Sequence, residues 1–323
     1  MAVYDTLPPS HPYGGAENVK TLIICFSQTG NTRRIAEQIR NGIVEVTGQC
    51  DMKKLDEVDK NSLADYDLVG LGCPVFYYQE PFNVRNFIED LPQLNGRHWF
   101  VFCTHGSVIG NTFPSMADRL QKKGVLVIGY HDSYADGTLP FYPYPTLTTG
   151  HPDALDLKEA RAFGRKIAAR SQRIAEGDKS LIPAPKSVPE AWVRSSQMLN
   201  PEFLQQTMPK LRIDMQKCIK CHECEDNCPV KGIDVESEPP RIQQPCVYCW
   251  NCAKVCPTLA IEGDWDMLVA MAPANYMHYR EALDEAAARG EFRWLIDPDS
   301  IRFDDPLYKQ REREIRIGGK DRS

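Results

Sequence analysis

At 323 residues the chain is too long for one small core and long enough for a medium α/β domain with a small module and extensions. Its 42% hydrophobic and 25% charged residues fit a soluble globular protein rather than a disordered one, and no stretch approaches the roughly 20 apolar residues that span a bilayer. A net charge of -6 argues against a general nucleic-acid binder, which needs a basic face to displace counterions from phosphates.

Residues 1–18, MAVYDTLPPSHPYGGAEN, read as a loose N-terminal arm. They lack a basic region followed by an apolar run, so no secretory signal is expected and a cytoplasmic location follows. The first regular element is a buried strand, KTLIICF (20–26), running into a polar loop, SQTGNT (27–32), and then into the helical pattern RRIAEQIRNGIVEV. Side-chain hydroxyls and loop N–H groups there face the first turn of a helix, whose dipole favours an anion, so a phosphate is expected. The loop lacks both the lysine of a G-x-x-x-x-G-K-[ST] loop and the G-x-G-x-x-G dinucleotide fingerprint.

Further strands are expected over 67–72 (DLVGLG), 97–104 (RHWFVFCT) and 125–132 (VLVIGYHD), with another from Cys50 to Leu55 completing five. Helices alternate with them: FNVRNFIEDL, one from about Thr112 to Lys123, and one from about Ala154 to Ala175. Such sheets bind ligands outside the carboxyl ends of their strands, where the loops at 27–32, 73–80 and 104–111 all fall.

The S-x-T-G-N-T loop after a first strand resembles the FMN phosphate loop of flavodoxins, with Ser27, Thr29, Gly30, Asn31 and Thr32 in the matching positions and Gln28 among them. The resemblance spans about residues 19–176 and implies a flavodoxin-like, doubly wound, five-stranded parallel sheet of the α/β class. It also implies that the loop holding Pro74, Val75, Phe76, Tyr77 and Tyr78 carries an aromatic wall for the flavin ring, while Thr104, His105, Gly106 and Gly110 approach from the other side. One departure stands out: flavodoxins commonly place an aromatic residue in the second ring loop, and THGSVIGN offers only His105. That face of the flavin is then more exposed, or covered by a partner or by the tyrosine-rich segment 130–144. His105, His131 and Asp132 lie near these loops and could relay protons, but lone loop residues are more often surface polar groups, so no catalytic residue is assigned. Cys25, Cys73 and Cys103 sit in or beside apolar strands and read as small buried hydrophobes.

Residues 177–208 form a proline-rich linker, expected to be semi-rigid and extended. Eight of the twelve cysteines then crowd into 218–256, in two runs with the spacing C-x-x-C-x-x-C-x-x-x-C-P. In a chain without an export signal, that density points to metal rather than disulfides. Three thiolates two residues apart reach three corners of one cubane, and the fourth cysteine points away to serve the other cluster. On this logic Cys218, Cys221, Cys224 and Cys256 hold one 4Fe-4S cluster, and Cys246, Cys249, Cys252 and Cys228 hold the second. Zinc also uses paired C-x-x-C hooks but has no use for two interlocked sets of three plus one. The arrangement resembles bacterial two-cluster ferredoxins over residues 209–265, which implies a small α+β domain. His222 reads as a surface residue or a hydrogen-bond donor near sulfide, and Tyr248 and Trp250 as packing over the second cluster.

The remainder, 266–323, is expected to hold a helix over PANYMHYREALDEAAARG, with Pro273 near its start and an apolar face of Tyr276, Tyr279, Leu283 and Ala286, followed by a charged extended tail. The two extensions offer arms for a partner, a homodimer or a larger complex. The whole chain resembles flavodoxin-ferredoxin fusion proteins, which implies electron transfer with FMN and two 4Fe-4S clusters between redox partner proteins. The leading expectation is an electron carrier or the electron-delivering subunit of a reductase complex. A flavin-dependent NAD(P)H or quinone oxidoreductase, and a non-redox sensor or scaffold, are the alternatives.

Overall fold

The computed structural model describes residues 19–320; the N-terminal arm expected over 1–18 lies outside the described residues. The first half follows the apolar runs closely: β1 (Thr21–Cys25), α1 (Asn31–Thr47), β2 (Asp51–Lys54), β3 (Leu68–Pro74), α2 (Phe82–Glu89), β4 (His98–His105), α3 (Thr112–Lys122), β5 (Leu126–Tyr134) and α4 (Ala154–Ala175). The five strands pair in parallel in the order β2-β1-β3-β4-β5. Strands covered on both faces must be apolar along their whole length, and every residue of β1 is buried. One core, built round Trp99, Val101, Leu71 and Met116, fills the α2–α3 side; a second, round Ile23, Ile39, Phe100 and Phe102, fills the α1–α4 side. The strand order reverses at β1, so the loops after β1, β3 and β4 open together beside it.

Residues 177–208 differ from the extended linker expected. They form α5 (Glu190–Met198) and α6 (Pro201–Thr207), the latter capped by Asn200 Oδ1 accepting from Phe203 N. This stretch is packed down: Leu204 is fully buried, Trp192 sits 4.9 Å from the Tyr78 ring, and Leu199 O accepts from Gln79 Nε2 at 3.1 Å. Prolines at the starts of both helices, where no amide donor is needed, promote rather than prevent them.

A two-stranded antiparallel sheet, β6 (Arg212–Ile213) with β7 (Ile261–Glu262), frames the cysteine region, whose two short helices are α7 (Glu223–Asp226) and α8 (Asn251–Val255). The next helix, α9 (Asp266–Ala288), starts seven residues before Pro273. Pro273 is therefore inside the helix rather than at its start. The expected face does turn inward, with Tyr276, Leu283 and Ala286 buried.

The tail is not extended. After Phe292, Ile301 and their neighbours pack under α9, the chain forms α10 (Leu307–Lys320). Tertiary contacts explain the helix: Leu307 N and Tyr308 N donate to Tyr142 O and Pro140 O, and Arg311 Nη1 and Nη2 donate to Ala253 O and Cys256 O at 2.9 and 2.8 Å. The run REREIRI is too polar to show a buried stripe, so periodicity alone does not find it.

Candidate functional site

One cavity of about 430 Å³ lies at the carboxyl ends of β1, β3 and β4. It brings together most of the residues singled out in the sequence: Gln28, Thr29, Asn31 and Thr32; Pro74, Val75, Phe76, Tyr77 and Tyr78; and Thr104, His105 and Gly106. Ser27, Gly30 and Gly110 do not line it and act one step back. Ser27 Oγ accepts from Arg33 N at 3.2 Å, and Gly30, at φ +92°, starts α1 in a left-handed conformation. Gly110 lets the backbone pass Tyr78: its φ is +61°, and a Cβ there would meet Tyr78 O at 2.4 Å. Thr32 and Thr104 share a hydrogen bond of 2.7 Å between their hydroxyls, and Asn31 Nδ2 donates to Asp136 O at 2.9 Å.

Sequence reasoning found the far wall only in part, naming the segment 130–144 as one cover for the ring. It comes from 135–148, from α9 (Met271, Asn275, Tyr276, Tyr279) and from the second cysteine run (Tyr248, Cys249, Trp250, Lys254). The tyrosine-rich segment thus lies on the side where a second aromatic loop was lacking. Long-range bonds hold the wall in place: Tyr77 Oη donates to Tyr248 O at 2.8 Å, Tyr78 Oη and Tyr279 Oη lie 2.9 Å apart, and Lys254 Nζ donates to Thr138 O at 2.9 Å. Phe141 packs against Trp250 and Trp265 at ring distances of 5.9 and 5.6 Å. Burial pushes the Tyr77 hydroxyl well up and the Lys254 ammonium down.

The eight clustered cysteines form two groups, and no described cysteine is in a disulfide. Cys218, Cys221, Cys224 and Cys256 line one small cavity with Ile213 and Ile261. Cys228 faces Cys246, Cys249 and Cys252 closely enough to bear on their ionisation. The fourth cysteine of each run therefore lies with the first three of the other. Burial pushes the Cys246 thiol up to about 12 and that of Cys252 well above its ordinary range, and a bound cation would favour their thiolates. Backbone amides are aimed at sulfur as well: Tyr248 N to Cys246 Sγ at 3.2 Å, Gly232 N to Cys228 Sγ at 3.2 Å and Ala260 N to Cys256 Sγ at 3.1 Å. His222 lies at the surface and pairs with Glu225 at 2.7 Å. Cys25, Cys73 and Cys103 are buried in the sheet, away from both groups.

Residues 22–127 match the family model for a flavodoxin domain, and residues 210–275 that for a 4Fe-4S dicluster domain. The chain joins a flavodoxin domain to a 4Fe-4S dicluster domain. It is similar to a flavodoxin of Clostridium saccharobutylicum, 28% identical over 48% of this chain and 99% of the relative, and to one of Aquifex aeolicus, 26% identical over 54% and 98%. An NAD(P)H dehydrogenase (quinone) of Archaeoglobus fulgidus is 23% identical over 48% of this chain and 98% of its own. Among solved structures, a flavodoxin from the domain Archaea aligns with a TM-score of 0.38 and 21% identity, covering 47% of this chain and 99% of that one.

A flavodoxin domain implies FMN, and the dicluster domain implies 4Fe-4S clusters. The residues present fit both groups. The cavity combines a hydroxyl-rich loop at a helix N-terminus with aromatic walls, and the Nδ1 atom of His105 is buried in its wall without a hydrogen-bond partner among the described residues. The thiols stand in two sets of four. The chain is an electron-transfer redox protein. No helix among the described residues is long and apolar enough to cross a membrane.

Proposed function

We propose that the chain relays electrons between FMN in the flavodoxin domain and the two clusters of the dicluster domain within one molecule, acting as a cytoplasmic carrier or as the electron-delivering subunit of a reductase complex. Cys218, Cys221, Cys224 and Cys256 would hold the first cluster, and Cys246, Cys249, Cys252 and Cys228 the second. Gln28 to Thr32 would hold the FMN phosphate, and the loop 74–78 would face the ring. The carrying observation is Cys249: a thiol of the second set lines the same cavity as the phosphate loop and Phe76 to Tyr78. Bound FMN supplies a site that exchanges electrons singly or in pairs, and each cubane a site that exchanges one.

The protein's own residues fix the arrangement. Tyr77 and Lys254 tie the second cysteine run to the flavin loops on two sides, so cluster and cavity cannot drift apart independently. Phe141, Trp250 and Trp265 pack at the junction and exclude water, which lowers the local dielectric. The first set faces outward, since Cys221 is exposed beside Ile219 at 64% exposure. An external redox protein would therefore meet the chain at the first cluster and not at the flavin.

Anaerobic reconstitution tests this reading: about eight irons with matching sulfide and one FMN per chain are expected. Zinc in their place, or no flavin, refutes it. The likeness to an NAD(P)H dehydrogenase (quinone) supports a second reading, a nicotinamide or quinone oxidoreductase with internal clusters. Rapid bleaching of the flavin by NADH or NADPH would favour that reading; reduction only by a low-potential donor favours the carrier.

A further inference from the structure

One group in the cavity wall is set up differently from the rest. His105 ends β4 with a side chain only 3% exposed, and it lines the cavity. Its Nδ1 is buried and has no hydrogen-bond partner among the described residues. On its other side, Nε2 lies 3.3 Å from Asp132 Oδ2 on β5, and the Asp132 side chain is 42% exposed to solvent. The imidazole is clamped by Tyr134 at a ring distance of 4.6 Å, and Ala135 N donates to His105 O at 2.9 Å, so the ring has little room to turn away. A buried unpaired nitrogen is costly unless something completes it. Here the imidazole lies between a cavity and a water-reachable carboxylate.

Resting on the FMN reading above, we infer that His105 carries protons between solvent and the flavin cavity, with Asp132 as the outer relay. Partial burial raises the Asp132 carboxyl, but its bond to His105 and the nearby His131 and Lys186 hold it below the usual carboxylate range. It is therefore ionised near neutrality and faces Nε2, which leaves Nδ1 to exchange a proton with the cavity. The other charges around the pair are Asp136 and Lys254 in the cavity wall, and Arg289 and Glu291, which pair with each other at 2.8 Å.

The balance is simple. Each electron entering from the dicluster domain adds one negative charge to the cavity. His105 would compensate by passing one proton from Nδ1 to the cavity, where it would complete an N–H bond on bound flavin, while Nε2 takes up a proton delivered by Asp132. Asp132 takes that proton from water, and the neutral ring is left with its hydrogen on Nε2, facing the carboxylate. On reoxidation the same path returns the proton to solvent. His105 would touch the ring; Asp132 acts through His105 and is a positioning residue.

The full-length reconstituted protein tests this. Proton uptake is followed with a pH indicator during photochemical reduction, in wild type, His105→Gln and Asp132→Asn. With FMN retained, His105→Gln should slow uptake about tenfold or more, and Asp132→Asn by a smaller factor that grows as the pH rises from about 5.5 to 8.5. Free imidazole should restore part of the rate in His105→Gly, which a purely structural role would not allow. Uptake at the wild-type rate in both variants, across that range and with flavin still bound, overturns the relay and leaves the FMN reading intact. If His105→Gln loses flavin, Asp132→Asn alone decides, because its exposed carboxylate has little part in packing. A wild-type protein that binds no FMN overturns both.

Discussion

Arg293→Ala tests how firmly the C-terminal segment is fixed to the flavodoxin domain. Arg293 Nη2 donates to Asp153 Oδ1 at 2.8 Å and to Asp156 Oδ1 at 2.7 Å, while its own carbonyl accepts from His151 Nε2 at 2.9 Å. Bonds to charged groups contribute about 1.5–3 kcal/mol each. The arginine side chain is 32% exposed, and Asp156 keeps His151 and the Asp153 amide after the change, so the lower end applies: about 2–3 kcal/mol in total. At about 1.4 kcal/mol per factor of ten, opening of residues 289–304 should become roughly 30- to 150-fold more frequent. Native-state hydrogen exchange reads this directly. Protection should fall by that factor in the segment and hold steady in β1, β3 and β4. Unchanged protection in 289–304, or an equal loss everywhere, would refute the reasoning.

The same cluster predicts a pH window. Burial pushes the His151 imidazole down, but the Asp156 carboxylate and the Arg293 carbonyl more than offset this, and its folded value lies above the ordinary 6.5. Its contribution is therefore full below about pH 6.5 and is lost as pH rises through the raised value. Asp156 is held below its ordinary 3.8, so its contribution is present above 3.8 and lost as pH falls through the lowered value. Segment protection should peak between these limits. Gly110→Ala should strain a left-handed position and push on Tyr78, costing about 1–3 kcal/mol and weakening FMN binding in a fluorescence titration. Cys249→Ala should leave the flavin bound while lowering the iron count from about eight toward four per chain by colorimetric assay. Tyr77→Phe removes one bond to Tyr248 O and should lower the urea midpoint by the equivalent of about 0.5–1.5 kcal/mol.

What could be seen in the sequence was whatever is written locally. Parallel strands need long apolar runs, so β1, β3 and β4 fall within a residue or two of expectation, and α4 spans Ala154–Ala175 as expected. Cysteine spacing is set by cluster chemistry and needs no knowledge of the rest of the fold. The parts of the far wall that come from α9 and the second cysteine run were hidden because their contacts leave no local trace: Tyr78 meets Tyr279, and Lys254 meets Thr138, across 201 and 116 residues. The helix α10 was hidden for a related reason, since Arg311 is anchored by carbonyls of the second cysteine run and not by an apolar stripe of its own. Proline content misled twice: at 177–208 two prolines sit at helix starts, where no amide donor is needed, whereas at Pro273 α9 continues through a position that lacks its donor.

The shared wall also constrains biogenesis. The flavodoxin strands leave the ribosome first and can close around their own cores, with their ligand cleft open to solvent. Once the second cysteine run and α9 have folded, Trp250, Met271 and Tyr279 add a second wall to that cleft. A flavin that arrives before iron delivery thus meets a one-sided cleft, and one that arrives afterwards must enter between two finished walls.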